Sequence, residues 1–142
     1  MKRSDNLDII TEMNEYMADA ENCLLCGVYN IDGGFYKDSI NRSYYCIYNM
    51  MCACLITVGF TEHSKHSTVI GKFRELLIKP GILTSALSDI IANLSEYRNN
   101  SDYQKGFRAS KSEADECADK AKLFFETTKK YIGNWLKENN GE

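Results

Sequence analysis

Proline is almost absent from this chain: Pro80 is the only one among its 142 residues. Because proline interrupts helix interiors, its scarcity favours long, unbroken helices. No run of about 18 consecutive apolar residues occurs, so we expect no membrane-spanning segment and no membrane partner. Residues 1–6 lead into an acidic amphipathic stretch instead of a secretory signal, and we therefore expect a cytoplasmic protein.

A second pair of cysteines with metal-ligand spacing is also lacking. Cys23 and Cys26 have the spacing of half a zinc knuckle, but Cys52 and Cys54 are separated by a single residue, which does not match the other half. Most of the six cysteines lie within apolar helical runs, where a reduced cysteine packs as a small hydrophobe. We therefore predict neither a metal nor another cofactor.

Apolar residues make up 44% of the chain, enough for a sizeable core in one domain over residues 1–142. They recur at helical spacing, with breaks at Gly33–Gly34 and Pro80–Gly81. The first four predicted helices span about 4–29, 35–58, 63–79 and 83–99. A fifth follows Ser110 and Glu113, which have capping-box spacing. We predict an all-α, antiparallel up-and-down bundle of four to five helices, with the strongly apolar second helix at its centre.

The net charge of −3 conceals a basic segment. Residues 65–111 carry eight lysines and arginines against four acidic residues, a local charge of +4, which leaves −7 for the rest of the chain. A basic zone of this kind can bind an anion while the whole protein stays soluble. An unevenly charged solvated surface explains the pattern equally well.

A polar segment, residues 97–103, follows the apolar part of the fourth predicted helix. We expect Arg98 at the end of that helix, where a guanidinium can hold a phosphate or a carboxylate with two hydrogen bonds. The structural alternative is a cation that only compensates the helix dipole and caps the last carbonyls.

The turn at Pro80–Gly81 predicts that the third and fourth helices form an antiparallel hairpin. His66 precedes this turn and Arg98 follows it by similar distances, roughly 20–25 Å at 1.5 Å per residue, so both should lie at the open end of the hairpin. The loops 59–64 and 102–110 should meet there, with His63 nearby. The basic rim expected at this end comprises His66, Arg98, Asp102, Tyr103, Lys105 and Arg108. In the alternative interpretation, His66 hydrogen-bonds locally at a helix start and Tyr103 packs beneath its loop.

The second predicted helix contains an arginine and two tyrosines close together. We interpret Tyr44 and Tyr45 as core or interface rings rather than chemical groups, because aromatic side chains dominate burial. Arg42 beside them needs a partner. Asp19 and Glu21 of the first helix are both candidates.

Short pieces of the chain match a known family in order and spacing. They are Ala20, Leu24–Leu25, Gly27 and Tyr29, then Arg42–Tyr45, Gly59, Lys65–Ser67, Phe73, Arg98–Asn99, Asp102–Tyr103, and Ala118, Ala121 and Phe124. In these pieces the chain resembles the HEPN-domain proteins, the helical partners of minimal nucleotidyltransferases, over nearly its whole length. The resemblance implies the same helical bundle.

The defining motif of that family is an arginine, a polar residue, and a histidine four to six residues beyond the arginine. Arg98 and Asn99 match its first part, but Tyr103, Gln104 and Lys105 stand where the histidine falls. Many members are metal-independent endoribonucleases in which an RNA 2′-hydroxyl attacks the adjacent phosphate. The resemblance implies that the arginine stabilises the developing charge, the histidine moves protons, and both protomers of a dimer form the cleft.

The resemblance also implies roles for particular residues. Tyr103 stands where the motif histidine falls, but a tyrosine with an ordinary pKa of ~10 is a poor base. His66 can supply the missing imidazole instead if it faces Arg98. Tyr103 is the nearest candidate to accept a nucleotidyl group from a partner enzyme. The predicted catalytic residues are Arg98, Tyr103 and His66, and the predicted phosphate- or RNA-binding residues are Arg98, Asn99, Asp102, Lys105 and Arg108.

Two functions remain open at this point. The first is a non-catalytic module that binds RNA or a nucleotide and docks a nucleotidyltransferase-type partner. The second is a metal-independent endoribonuclease, the toxin component of a toxin–antitoxin pair. A purely structural helical oligomer is the weaker third alternative. We expect a homodimer and do not expect DNA as a partner.

Overall fold

Helix accounts for most of the residues that the computed structural model describes, namely 3–61, 65–106 and 108–140. The five α-helices, numbered α1 to α5, span Arg3–Asp32, Tyr36–Ile56, His66–Phe73, Ala86–Tyr103 and Lys111–Asn140. A π-helical segment, Arg74–Ile78, directly continues α3. No strand occurs within the described ranges, and the prediction of an all-α bundle is confirmed. None of the helices in these ranges is long and apolar enough to cross a lipid bilayer.

The helix α2 forms the centre of the bundle, because it packs against each of the other four α-helices. All of its residues from Met50 to Ile56 are buried, in agreement with a sequence that is apolar on every side. The core continues to Met13 of α1 and to Phe73 and Phe124, whose ring centroids lie 5.7 Å apart between α3 and α5. Burial of this apolar surface is the main force that holds the helices together.

Five of the six cysteines belong to this core. All six are free thiols, and Cys46, Cys52, Cys54 and Cys117 are completely buried. Burial raises the pKa of the Cys52 thiol to about 12, so this group stays neutral and packs as an apolar side chain.

Glycine forms the tight reversals at both predicted turns. Gly34, between α1 and α2, has a φ of +82°, and Gly81, directly after Pro80, has a φ of +83°. Side chains other than glycine rarely adopt this backbone conformation. The two turns therefore lie where the sequence places them.

The end of α4 differs from the prediction in a way that matters for the site. The helix continues to Tyr103 instead of stopping at Asn99. No glycine or proline interrupts the polar segment before Gly106, and Arg98 pairs with Asp102 one turn further on, with Nε 3.4 Å from Oδ2. Arg98 thus lies inside α4, whose last turn contains no basic residue, and the capping interpretation of Arg98 is wrong.

The start of α3 also differs from the prediction. This helix begins at His66 instead of His63, a residue that lies outside the described ranges.

A capping box fixes the start of α5. The Glu113 N–H donates to Ser110 Oγ at 3.1 Å, and the Ser110 N–H donates to Glu113 Oε1 at 2.9 Å, as the spacing predicts. We expect Ser110→Ala to lower the free energy of unfolding by about 1 kcal/mol, because a helix N–H loses its acceptor. Chemical denaturation measures the effect. Ser112→Ala, in the same turn but outside the box, is the control, and an equal loss in both variants would contradict the prediction.

Candidate functional site

The His66 ring, at the first residue of α3, lies against three tyrosines of α2. Its Nδ1 is 3.1 Å from Tyr44 Oη, and its ring centroid is 4.0 Å from that of Tyr48 and 5.5 Å from that of Tyr45. Tyr44 and Tyr48 are one helical turn apart and Tyr45 is adjacent, so α2 presents all three toward α3. The hydrogen-bond partner of His66 is therefore distant in sequence, and the local interpretation of this residue is wrong.

Arg98 of α4 lies over two of these tyrosines, Tyr44 and Tyr45. Its Cζ lies 4.8 Å from the ring centroid of Tyr44 and 5.7 Å from that of Tyr45, within the range of cation–π attraction. The Arg98 side chain is 19% exposed, and its buried Nε donates no hydrogen bond to any residue that the structure describes. Among the residues that the structure describes, only Asp102 forms an ion pair with Arg98, and the geometry of that pair is loose. We call Tyr44, Tyr45, Tyr48, His66 and Arg98 the His66–Arg98 cluster.

Burial and the charge of Arg98 set the protonation states in this cluster. Burial is the larger of the two causes that lower the pKa of His66, and the Arg98 charge is the other. Burial also raises the pKa of Tyr44, an effect that Arg98 partly offsets. At neutral pH the cluster therefore holds a neutral imidazole and a neutral phenol beside one permanent cation. Such a set can bind an anion and move a proton.

The structure brings His66 and Arg98 together, as the hairpin predicts, but several other predicted site residues point to solvent or lie apart. Asn99, Asp102 and Lys105 are exposed. Tyr103 is 75% exposed at the end of α4, so the interpretation of its ring as packed beneath the loop is wrong. The catalytic and binding roles of all these residues stay predictions.

Arg108, expected at the basic rim, and Gly59, expected in an adjoining loop, line different cavities. Arg108 lines a cavity of about 380 Å³ beside Gly34–Asp38, where α2 begins. Tyr44 lies eight residues beyond Tyr36 along this helix, roughly 12 Å at 1.5 Å per residue. Gly59 lies at the other end of α2, in a separate cavity. Gly59 and Arg108, from the two loops expected to meet, therefore lie at opposite ends of α2.

A second polar cavity opens between α1 and α2, next to the His66–Arg98 cluster. Its volume is about 310 Å³, and its lining residues are Asp19, Asn22, Cys23, Arg42, Tyr45 and Asn49. Arg42 donates to Asn41 Oδ1 at 3.0 Å, and its Cζ lies 5.6 Å from the Tyr45 ring centroid. Within the described part of the chain Arg42 forms no ion pair with Asp19 or Glu21, so the expected partner is wrong.

The sequence interpretation missed the part that Tyr44 and Tyr45 take in the site. Tyr44 is only 2% exposed and is a core ring, but its hydroxyl contacts His66 and its face contacts Arg98. A buried phenol needs a polar partner. That requirement, applied to Tyr44 at the start of the strongly apolar part of α2, was the available signal.

Comparison with known proteins identifies the family. The HEPN domain family model matches residues 13–131, and the chain therefore belongs to the HEPN family, which confirms the resemblance. A protein of Methanocaldococcus jannaschii named "Putative toxin MJ0142" is 30% identical over 131 residues, which cover 91% of this chain and 88% of that protein. "Putative toxin MJ0605" of the same organism is 27% identical over 132 residues, or 93% of this chain and 97% of that protein.

A solved structure is similar as well. The crystal structure of ST0689, an archaeal HEPN homologue, matches 93% of this chain and 99% of its own with a TM-score of 0.62 and 22% sequence identity. At this level of identity the match shows that the two proteins share the fold.

We predict that Arg98→Gln raises the pKa of His66 toward its ordinary value, because the substitution removes a nearby positive charge. NMR titration of the imidazole signals measures this pKa. His63 is the only other histidine, so a His63→Gln background leaves a single signal. Lys122→Gln, which removes an exposed cation of α5, should not shift it. A His66 pKa that is the same with and without Arg98 would refute the electrostatic contact.

Proposed function

We propose that this HEPN-family protein binds RNA through a phosphate at the His66–Arg98 cluster and works in a pair with a nucleotidyltransferase-type protein. The observation that carries the proposal is the setting of Arg98. Its guanidinium is held by the Tyr44 and Tyr45 rings and is only loosely paired with Asp102. A planar guanidinium fixed in this way suits two-point recognition of a phosphate.

Exposed residues near the end of α4 support a surface for RNA and for a partner. Asn99 and Lys105 are exposed within about two turns of Arg98, where they can contact neighbouring phosphates. Tyr103 is also exposed, and its hydroxyl is accessible as the acceptor of a nucleotidyl group. A homodimer would place two such surfaces in one assembly.

A metal-independent endoribonuclease is the second candidate, and the contact of His66 with Tyr44 favours it. When His66 Nδ1–H donates to Tyr44 Oη, Nε2 is free to accept the proton of an RNA 2′-hydroxyl. The resulting alkoxide oxygen attacks the adjacent phosphorus while the bond from phosphorus to the 5′-oxygen of the next nucleotide breaks, and Arg98 stabilises the charge that develops on the phosphate. The proton held by His66 passes to the leaving 5′-oxygen, so the products are a 2′,3′-cyclic phosphate and a 5′-hydroxyl. In this mechanism the imidazole comes from α3, whereas the family motif supplies it from the segment that follows the arginine.

The first test is RNA affinity. We expect Arg98→Ala to weaken binding of a single-stranded oligoribonucleotide and to lower the salt-dependence slope of log K by roughly 0.7, the value for one lost phosphate contact on a single strand. Fluorescence anisotropy over a series of salt concentrations measures both quantities. Lys122→Gln is the control with a cation removed elsewhere. RNA affinity that is absent or insensitive to salt in the unchanged protein would refute the proposal.

The second test separates binding from cleavage. If the protein cleaves RNA, His66→Gln should slow cleavage on the order of 10²- to 10⁴-fold, the usual contribution of a general acid–base group. RNA affinity should change little, because Arg98 remains in place. Denaturing gel electrophoresis of labelled RNA measures the rate. Cleavage at an unchanged rate in His66→Gln would remove this residue from the mechanism. If the unchanged protein binds RNA but does not cleave it, the non-catalytic binding module is the function that remains.

A further inference from the structure

We infer that the polar cavity between α1 and α2 is a guanine-binding pocket for the nucleotide next to the phosphate held by Arg98. We call it the Tyr45 pocket, after the residue that it shares with the His66–Arg98 cluster. The inference rests on the proposed RNA binding and adds a preference for one base.

The first observation is the position of the pocket. Tyr45 lines it, and the same ring contacts His66, with centroids 5.5 Å apart, and lies 5.7 Å from the Cζ of Arg98. On the side of the pocket, the Cζ of Arg42 lies 5.6 Å from that ring. Arg98 and Arg42 thus both contact one aromatic side chain. The distance between their two guanidinium groups is therefore on the scale of a single nucleotide. A phosphate bound at Arg98 therefore places its own base within reach of the pocket.

The second observation is the charge of the pocket. Asp19 and Arg42 both line it, but they form no ion pair within the described part of the chain. The charges cancel, so the pocket does not attract a second phosphate in the way that a purely basic site does. An acceptor carboxylate and a donor guanidinium that line one pocket suit a neutral ligand with donors on one edge and acceptors on another.

Guanine is the base that matches both groups. Its N1–H and N2–H₂ groups are adjacent donors, for which the two oxygens of a carboxylate such as Asp19 are suitable acceptors. Its O6 and N7 atoms are adjacent acceptors, and arginine is the side chain that pairs with them most often. Adenine and the pyrimidines do not present two donors and two acceptors in this arrangement.

The remaining lining residues agree with a base and a sugar. Asn49 Nδ2 already donates to the Tyr45 carbonyl at 2.9 Å, so its Oδ1 is left as an acceptor, and Asn22 is exposed at the rim. The half-buried Tyr45 ring, over which Arg42 and Arg98 both lie, adds an apolar wall to the pocket. The volume of about 310 Å³ is at the lower end of the range for small-ligand pockets, roughly 300–1,000 Å³.

The experiment measures the affinity of the full chain for short uridine oligoribonucleotides whose central base is G, A, C, U or hypoxanthine. We expect the G oligonucleotide to bind roughly 5- to 100-fold more tightly than the A, C and U ones, the range for a well-formed two-point base contact. Hypoxanthine, which lacks the N2 amino group, should bind with intermediate affinity. Fluorescence anisotropy at one fixed salt concentration gives the comparison.

Two variants locate the preference. Asp19→Asn keeps the shape of an exposed side chain and removes one acceptor, so it should abolish most of the G preference, measured as the ratio of the affinities for the G and the all-uridine oligonucleotides. The loss of a negative charge should strengthen binding of both oligonucleotides alike. Glu21→Gln, two residues away on α1 and outside the pocket, is the matched control and should keep the preference. Arg98→Ala should instead weaken binding of all oligonucleotides alike.

The outcomes separate the pocket from the proposed function. Binding that depends on Arg98 but is equal for all bases would overturn the guanine pocket and leave RNA binding intact. A G preference that survives Asp19→Asn and Arg42→Gln would place base recognition elsewhere and also overturn it. No binding of any oligonucleotide to the unchanged protein would overturn both proposals. Asp19 is exposed, so its variant remains informative even if Arg42→Gln does not fold.

Discussion

The packing of Arg98 on the buried ring of Tyr44 is the contact on which the rest of the site depends. Tyr44 belongs to α2, the helix that every other α-helix contacts, so the whole core fixes the position of its ring. His66 of α3 contacts the hydroxyl of Tyr44, and Arg98 of α4 contacts its face. A single core side chain thus joins three helices. The permanent charge of the guanidinium then favours the neutral form of the nearby imidazole.

The sequence was sufficient for the elements whose cause is local. Apolar spacing predicts the five helices, the glycines at positions 34 and 81 predict the turns, and the spacing of Ser110 and Glu113 predicts the start of α5. The C-terminal end of α4 could not be predicted from local signals of this kind. The run from Asn99 to Ser101 has weak helix propensity, yet it stays helical because α4 is packed on the core on one side and Arg98 pairs with Asp102 across the turn.

The candidate site was predictable only in part, because its geometry depends on contacts between helices. The numbers of residues before and after the Pro80–Gly81 turn predict that His66 and Arg98 lie at the same end of the hairpin, and both residues contact Tyr44. They do not predict the path of the chain between α2 and α3. Gly59 and Arg108 lie at opposite ends of α2. The role of Tyr44 depends on which face of α2 meets α3 and α4, and helical periodicity does not distinguish among faces of a helix that is apolar all round.

The missing motif histidine changes which element supplies the imidazole. One turn beyond Arg98 the chain has Asp102, a carboxylate that pairs with the guanidinium and cannot serve as a histidine does near neutral pH. The imidazole next to Arg98 belongs instead to His66 of α3, and it is held by a phenol in the core. In the proposed endoribonuclease mechanism, acid–base chemistry depends on the packing of α3 against α2. Substitutions in that interface far from the phosphate would then alter cleavage without removing any charged group.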